Sequence, residues 1–180
     1  MIDILIKNAK IFPAGIKSDI AINEGVITSL AKNIEENAKK VIEAENKLAI
    51  PGFIESHTHL EKALTYRKIP NKSGTLNEAV KNYYGYLANS KIEEIYKRAE
   101  KVVNMELSNG TVAIRTHVSI DNSKLGFKAF KAMLKLKNEF SKLINIQIVA
   151  MPSSPVKDLK QIKGPIAEAI ERGADLIGGA

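Results

Sequence analysis

Short runs of β-branched residues broken by polar ones open the chain: Ile2 to Ile6, Asp19 to Ile22, Val26 to Leu30 and Val41 to Ala44, with Asn23-Glu24-Gly25 placed as a hairpin turn. They predict a small β module. The rhythm changes at Leu48. From there, strand-like runs at Ala49 to His59, Thr111 to Ser119, Ile144 to Met151 and Asp175 to Gly178 are separated by stretches of helical period. Leu76 to Leu87 is one such stretch. Ser90 reads as the N-cap of a second that stops at Asn109-Gly110; Asn122 or Ser123 caps a third from Lys124 to Phe140; Pro165 suits the first turn of a fourth that closes at Gly173. Strand alternating with helix predicts an α/β fold on a parallel sheet.

Length turns this pattern into an architecture. A closed (β/α)8 barrel needs roughly 250 residues, and the chain has 180, of which about the first fifty form the β module. The expectation is a small β-sandwich module over residues 1–48, followed over 49–180 by the N-terminal half of a TIM-type barrel, about its first four βα units. The run Leu176-Ile177-Gly178-Gly179-Ala180 halts at a strand end, where a bare sheet edge calls for a partner. A complementary C-terminal half or a homo-oligomer would supply one.

Composition narrows the chemistry. There is no cysteine, which removes disulfide scaffolds, thiolate metal sites and thiol nucleophiles and fits a reducing, cytoplasmic setting. Any metal must use histidine or carboxylate. No apolar run reaches the 18 or so residues that span a bilayer, so no membrane partner is expected. The net charge of +7 comes from 27 basic residues against 20 acidic ones. Only Arg67, Arg98, Arg115 and Arg172 are arginines, and the lysines alternate with glutamates along amphipathic stretches, which argues for solvated faces and against nucleic acid.

The three histidines sit at predicted strand C-termini, the end of a βα sheet where active sites form. His57 and His59 are two apart, so on a strand both rings project to one side and can share a divalent ion, zinc or iron. The same parity places Glu55 one layer deeper. Arg115 shares the parity of His117 on the next strand, and an internal Glu55–Arg115 ion pair beneath the metal position is expected. His117 would then lie near the mouth, facing substrate or packed as a core histidine. Glu61 and Lys62 follow the pair and read as a solvated couple.

The pieces Leu48-Ala49-Ile50-Pro51-Gly52-Phe53, His57-Thr58-His59-Leu60, Ser73-Gly74-Thr75-Leu76, Asn109-Gly110-Thr111, Arg115-Thr116-His117-Val118, Gln147 to Pro152 and Gly173-Ala174-Asp175, in that order and spacing, resemble the amidohydrolase superfamily, and within it the cytosine deaminase-like branch. The resemblance covers essentially the whole chain. It implies a hydrolase of non-peptide carbon–nitrogen bonds, in which His57 and His59 hold one divalent ion whose bound water becomes hydroxide near neutral pH and attacks a flat nitrogen heterocycle. It also implies substrate contacts at Leu76 and Ser153, beside the His117 that parity places near the mouth. Ser153 departs from the glutamine of the cytosine enzymes; a hydroxyl cannot present the paired donor and acceptor of an amide, so a related pyrimidine or triazine, or an N-substituted amine leaving group, stands beside cytosine. The catalytic acid/base glutamate and the further His and Asp ligands would lie beyond Ala180. The alternative is a non-catalytic fragment or interaction module of the same fold.

Overall fold

The computed structural model describes residues 1–121, 127–152 and 159–179. The chain divides into two units, Met1–Pro51 and Gly52–Ala180.

The first unit holds β1 (Ile2–Ile11), β2 (Ile16–Asn23), β3 (Val26–Ala31), β4 (Ala38–Glu43) and the two-residue β5 (Leu48–Ala49). β1 is the hub. It pairs antiparallel with β2 and parallel with both β4 and β5, and β3 lies outside β2. Glu24 and Gly25 take positive φ at the β2–β3 turn, as the Asn-Glu-Gly signal predicts. These strands make one five-stranded sheet, not the two stacked layers of a sandwich. Ile2, Leu5, Ala21 and Ile34 form the unit's apolar cluster, and Ala9 and Ile20 are buried as well. Asp19 on β2 ties together β1 and the segment between β3 and β4, accepting from the backbone N–H groups of Asn8 at 2.9 Å and Ile34 at 3.1 Å. Burial pushes its carboxyl up, but these bonds and Lys7 outweigh burial and hold it below the ordinary range.

The second unit is a four-stranded parallel sheet, β6 (Phe53–Thr58), β7 (Thr111–Ile120), β8 (Asn145–Pro152) and β9 (Leu176–Ile177), in sequential order. α1 (Leu76–Asn89) and α2 (Ile92–Ser108) connect β6 to β7, α3 (Lys128–Glu139) connects β7 to β8, and α4 (Leu159–Glu171) leads to β9. One face of the sheet presents Ile114, Val118, Ile120, Ile146 and Ile148, and the helices cover it with Ile95, Ala99, Val103, Phe130, Met133 and Leu136. The alternate face of β7 carries Arg115, which is exposed, and His117 and Ser119, which are half-buried. No helix among the described residues is long and apolar enough to cross a membrane.

Several local expectations are corrected. The run from Ala49 to His59 is two strands, because Pro51 and Gly52 separate β5 from β6. Ser90 closes α1 rather than opening α2: its N–H bonds Tyr86 and Leu87, its hydroxyl bonds Tyr86, and α2 starts after Lys91. Pro165 lies inside α4, not in its first turn. The start of the third helix at Lys124, and its Asn122 or Ser123 cap, fall outside the described residues.

Gly52 has a steric reason at the entry to β6. A Cβ there would stand 2.3 Å from Val112 Cγ1, 2.8 Å from Cγ2 and 3.1 Å from Val112 Cβ, so the valine or the strand must shift to admit it. Gly52→Ala is expected to cost about 1–3 kcal/mol through overpacking. Urea unfolding followed by circular dichroism measures it; a midpoint equal to wild type would mean that β6 shifts freely against β7.

Candidate metal and substrate site

The C-terminal end of β6 brings the histidines together with the end of β7. Thr58 pairs with Thr116, which is fully buried, and Thr116 Oγ1 accepts from the Leu60 N–H at 3.1 Å. With Thr58 and Leu60 so held, His57 and His59 lie against His117. The rings of His57 and His59 have centroids 5.6 Å apart at 71°; His57 stacks on His117 at 4.0 Å, and His59 stands 5.8 Å from it.

The hydrogen bonds assign the proton on His59. Its Nδ1 lies 2.9 Å from the His117 carbonyl oxygen, which can only accept, so Nδ1 carries the hydrogen. The Lys62 ammonium, 3.3 Å from that Nδ1 and 3.4 Å from Ser119 Oγ, is then a neighbouring charge and not a donor to the ring. Nε2 of His59 keeps its lone pair, the tautomer a metal ligand needs. His117 is half-buried. Burial first, then the proximity of His57 and His59, holds its pKa below the ordinary imidazole value, so it is neutral at physiological pH. Its Nδ1 is buried with no hydrogen-bond partner among the described residues.

Glu55 and Arg115 do not meet. Glu55 Oε1 accepts from the His57 N–H at 2.9 Å, and Arg115 Nε donates to Gln147 Oε1 at 3.0 Å across the β7–β8 pair. The expected ion pair fails because β6 is irregular: Glu55 pairs with Ile114 but Thr58 with Thr116, three steps on β6 against two on β7. Alternation does not run through such a bulge, so parity cannot carry Glu55 to the face of His57.

Glu61 and Lys62 are not a solvated couple either. Glu61 is 1% exposed, with both carboxylate oxygens buried and without a hydrogen bond among the described residues; Oε1 lies 3.6 Å from His59 Nδ1 and 3.5 Å from Lys62 Nζ. Composition gave no signal for this burial.

A cavity of about 730 Å³ opens beside His59 and Lys62, lined also by Leu76, Tyr83, Ser119 and Met151. Leu76, at the start of α1, is largely exposed on its rim. Ser153 lies outside the described residues. Among the described residues no group of three or more His, Cys, Asp or Glu side chains is arranged to hold a metal ion.

A parallel βα sheet with this histidine cluster at the end of its first strand is the setting of one broad class. Over nearly all of its length the chain is similar to the N-terminal part of amidohydrolase-family proteins, hydrolases and deaminases that act on carbon–nitrogen bonds. In particular, it is 32% identical over 182 residues to the N-isopropylammelide isopropyl amidohydrolase of Pseudomonas sp. (strain ADP), covering 98% of this chain and 45% of that one. The fold matches 5-methylcytosine deaminase from Klebsiella pneumoniae with a TM-score of 0.84 at 31% identity, over 97% of this chain and 43% of that one. It matches N-isopropylammelide isopropylaminohydrolase from Burkholderia multivorans with a TM-score of 0.82 at 28% identity, over 99% and 45%. The chain thus spans a little under half the length of these relatives. No family model matches it.

Proposed function

We propose that the chain is the N-terminal portion of a metal-dependent amidohydrolase that removes an amino or alkylamino group from a cytosine-like nitrogen heterocycle by hydrolysis. The observation that carries this reading is the His57–His59 pair, 5.6 Å between ring centroids, with Nδ1 of His59 committed to a carbonyl, Nε2 left for a cation, and His59 itself lining the cavity. Two neutral imidazoles suit zinc or iron. A divalent ion held there would supply an acidified water as nucleophile at neutral pH.

Lys62 lines the cavity beside His59 and offers a polar contact to a ring, and Tyr83, Met151 and Leu76 supply apolar lining for its faces. The sequential order β6-β7-β8-β9 supports reading the second unit as the opening half of an eight-stranded barrel, completed by a C-terminal half or by another copy of the chain. The names of the relatives support a small heterocyclic substrate.

The test is metal analysis of the purified chain, alone and mixed with any downstream polypeptide, with release of ammonia from cytosine and of amine from N-alkylated triazines followed on both. Bound metal in the chain, and hydrolysis on completion, are the expected results. A chain that takes up neither zinc nor iron overturns the reading and leaves a non-catalytic module of this fold.

A further inference from the structure

A carboxylate that is 1% exposed, with neither oxygen hydrogen-bonded among the described residues, is a destabilising feature, because a charge removed from water without hydrogen bonds loses its solvation uncompensated. Glu61 is such a carboxylate, and its main chain is held with care. The Arg98 guanidinium on α2, itself buried, donates from Nη2 to the Glu61 carbonyl at 3.1 Å and from Nη1 to the carbonyl of Ala63; the Tyr83 hydroxyl donates to the Glu61 carbonyl at 3.4 Å. Arg98 is anchored from behind. Its Nε donates to Glu94 Oε1 at 2.9 Å, and the same oxygen accepts from Lys68 at 2.6 Å and from the Tyr86 hydroxyl at 2.5 Å. Burial pushes the Glu94 carboxyl up, but Lys68, Tyr86 and Arg98 outweigh it and hold it down to about 2.

This scaffold fixes the backbone of Glu61 and leaves the carboxylate beside His59. Nδ1–H of His59 is flanked by two acceptors, the His117 carbonyl at 2.9 Å and Glu61 Oε1 at 3.6 Å. The carbonyl sets the tautomer. The carboxylate adds a full negative charge behind a ring whose opposite nitrogen is free, and a cation taken up there makes the N–H more positive and strengthens its attraction to that charge. Among the described residues the cation nearest this carboxylate is Lys62, at 3.5 Å and outside hydrogen-bond geometry.

We propose that Glu61, aimed by Arg98, is the positioning residue of His59: its buried carboxylate raises the cation affinity of the imidazole and is kept at the expense of the fold's own stability. The proposal rests on the reading of His57 and His59 as metal ligands.

The test compares Glu61→Gln and Glu61→Asp with wild type, using the full chain and zinc(II) alone, titrated against a chromophoric chelator, with thermal unfolding of the metal-free proteins measured in parallel. Glu61→Gln is expected to weaken zinc binding about 10–100-fold, the usual loss when a ligand's outer partner is removed. Its metal-free unfolding temperature is expected to equal or exceed that of wild type, because a neutral amide is cheaper to bury than a carboxylate. Glu61→Asp retains part of the affinity. A residue with a merely structural role would lower the unfolding temperature and leave zinc affinity alone, and that result, or unchanged zinc binding in Glu61→Gln, overturns the proposal. If wild type itself binds no zinc, it is the metal reading that falls; if wild type binds and the variants match it, only the role of Glu61 does.

Discussion

Alanine at position 59 is expected to lower zinc affinity by more than about 100-fold, since losing an outer partner alone costs 10–100-fold and His59 supplies one of the two imidazoles themselves. His57→Ala should do the same, and the double variant should bind no zinc above background. The fold should barely notice His57→Ala, because that side chain is exposed and surface changes usually stay within about 0.5 kcal/mol. His59→Ala gives up one bond to the His117 carbonyl, worth about 1 kcal/mol. Competition titration of the purified variants separates these outcomes. Zinc retained by the double variant at wild-type affinity would place the cation elsewhere and remove the basis of the functional proposal.

The second large effect belongs to the scaffold. Phe130 on α3 is fully buried, edge-on to Phe127 at 5.8 Å between centroids, and sits in the cluster that joins α2, β7 and β8. Phe130→Ala removes the ring and leaves a cavity, an expected loss of about 3–5 kcal/mol. Against a typical total of 5–15 kcal/mol this takes a large share of the unit's stability, and the thermal midpoint should fall by roughly 10 °C. Circular dichroism melts check it. A loss below about 1 kcal/mol would mean that α3 collapses onto the sheet without strain, contrary to the close packing around this ring.

What the sequence discloses is what depends on near neighbours. The alternation of β7 and β8 sends Ile114, Ile146 and Ile148 to the helices and Arg115 and Gln147 to the other face, as period two requires. The Gly-containing turn after Asn23 behaves likewise. Ser90 misleads because serine reads as an N-cap, while its hydroxyl in fact bonds back to Tyr86. The bulge between Glu55 and Thr58 has no local signature and breaks the one argument that needed unbroken alternation. Burial of Glu61 is equally invisible, since it follows from an arginine 37 residues further on grasping its carbonyl. Such contacts arise only once the sheet has closed.

That parallel sheet also sets a tempo. Thr58 and Thr116 are bonded neighbours though 58 positions part them, whereas β2 meets β3 across a tight turn. Closing so wide a loop consumes chain entropy before any contact repays it, which slows folding relative to hairpins and helices. During synthesis the strand bearing the histidine pair must therefore wait, unzipped, until two helices have been made and its mate has emerged.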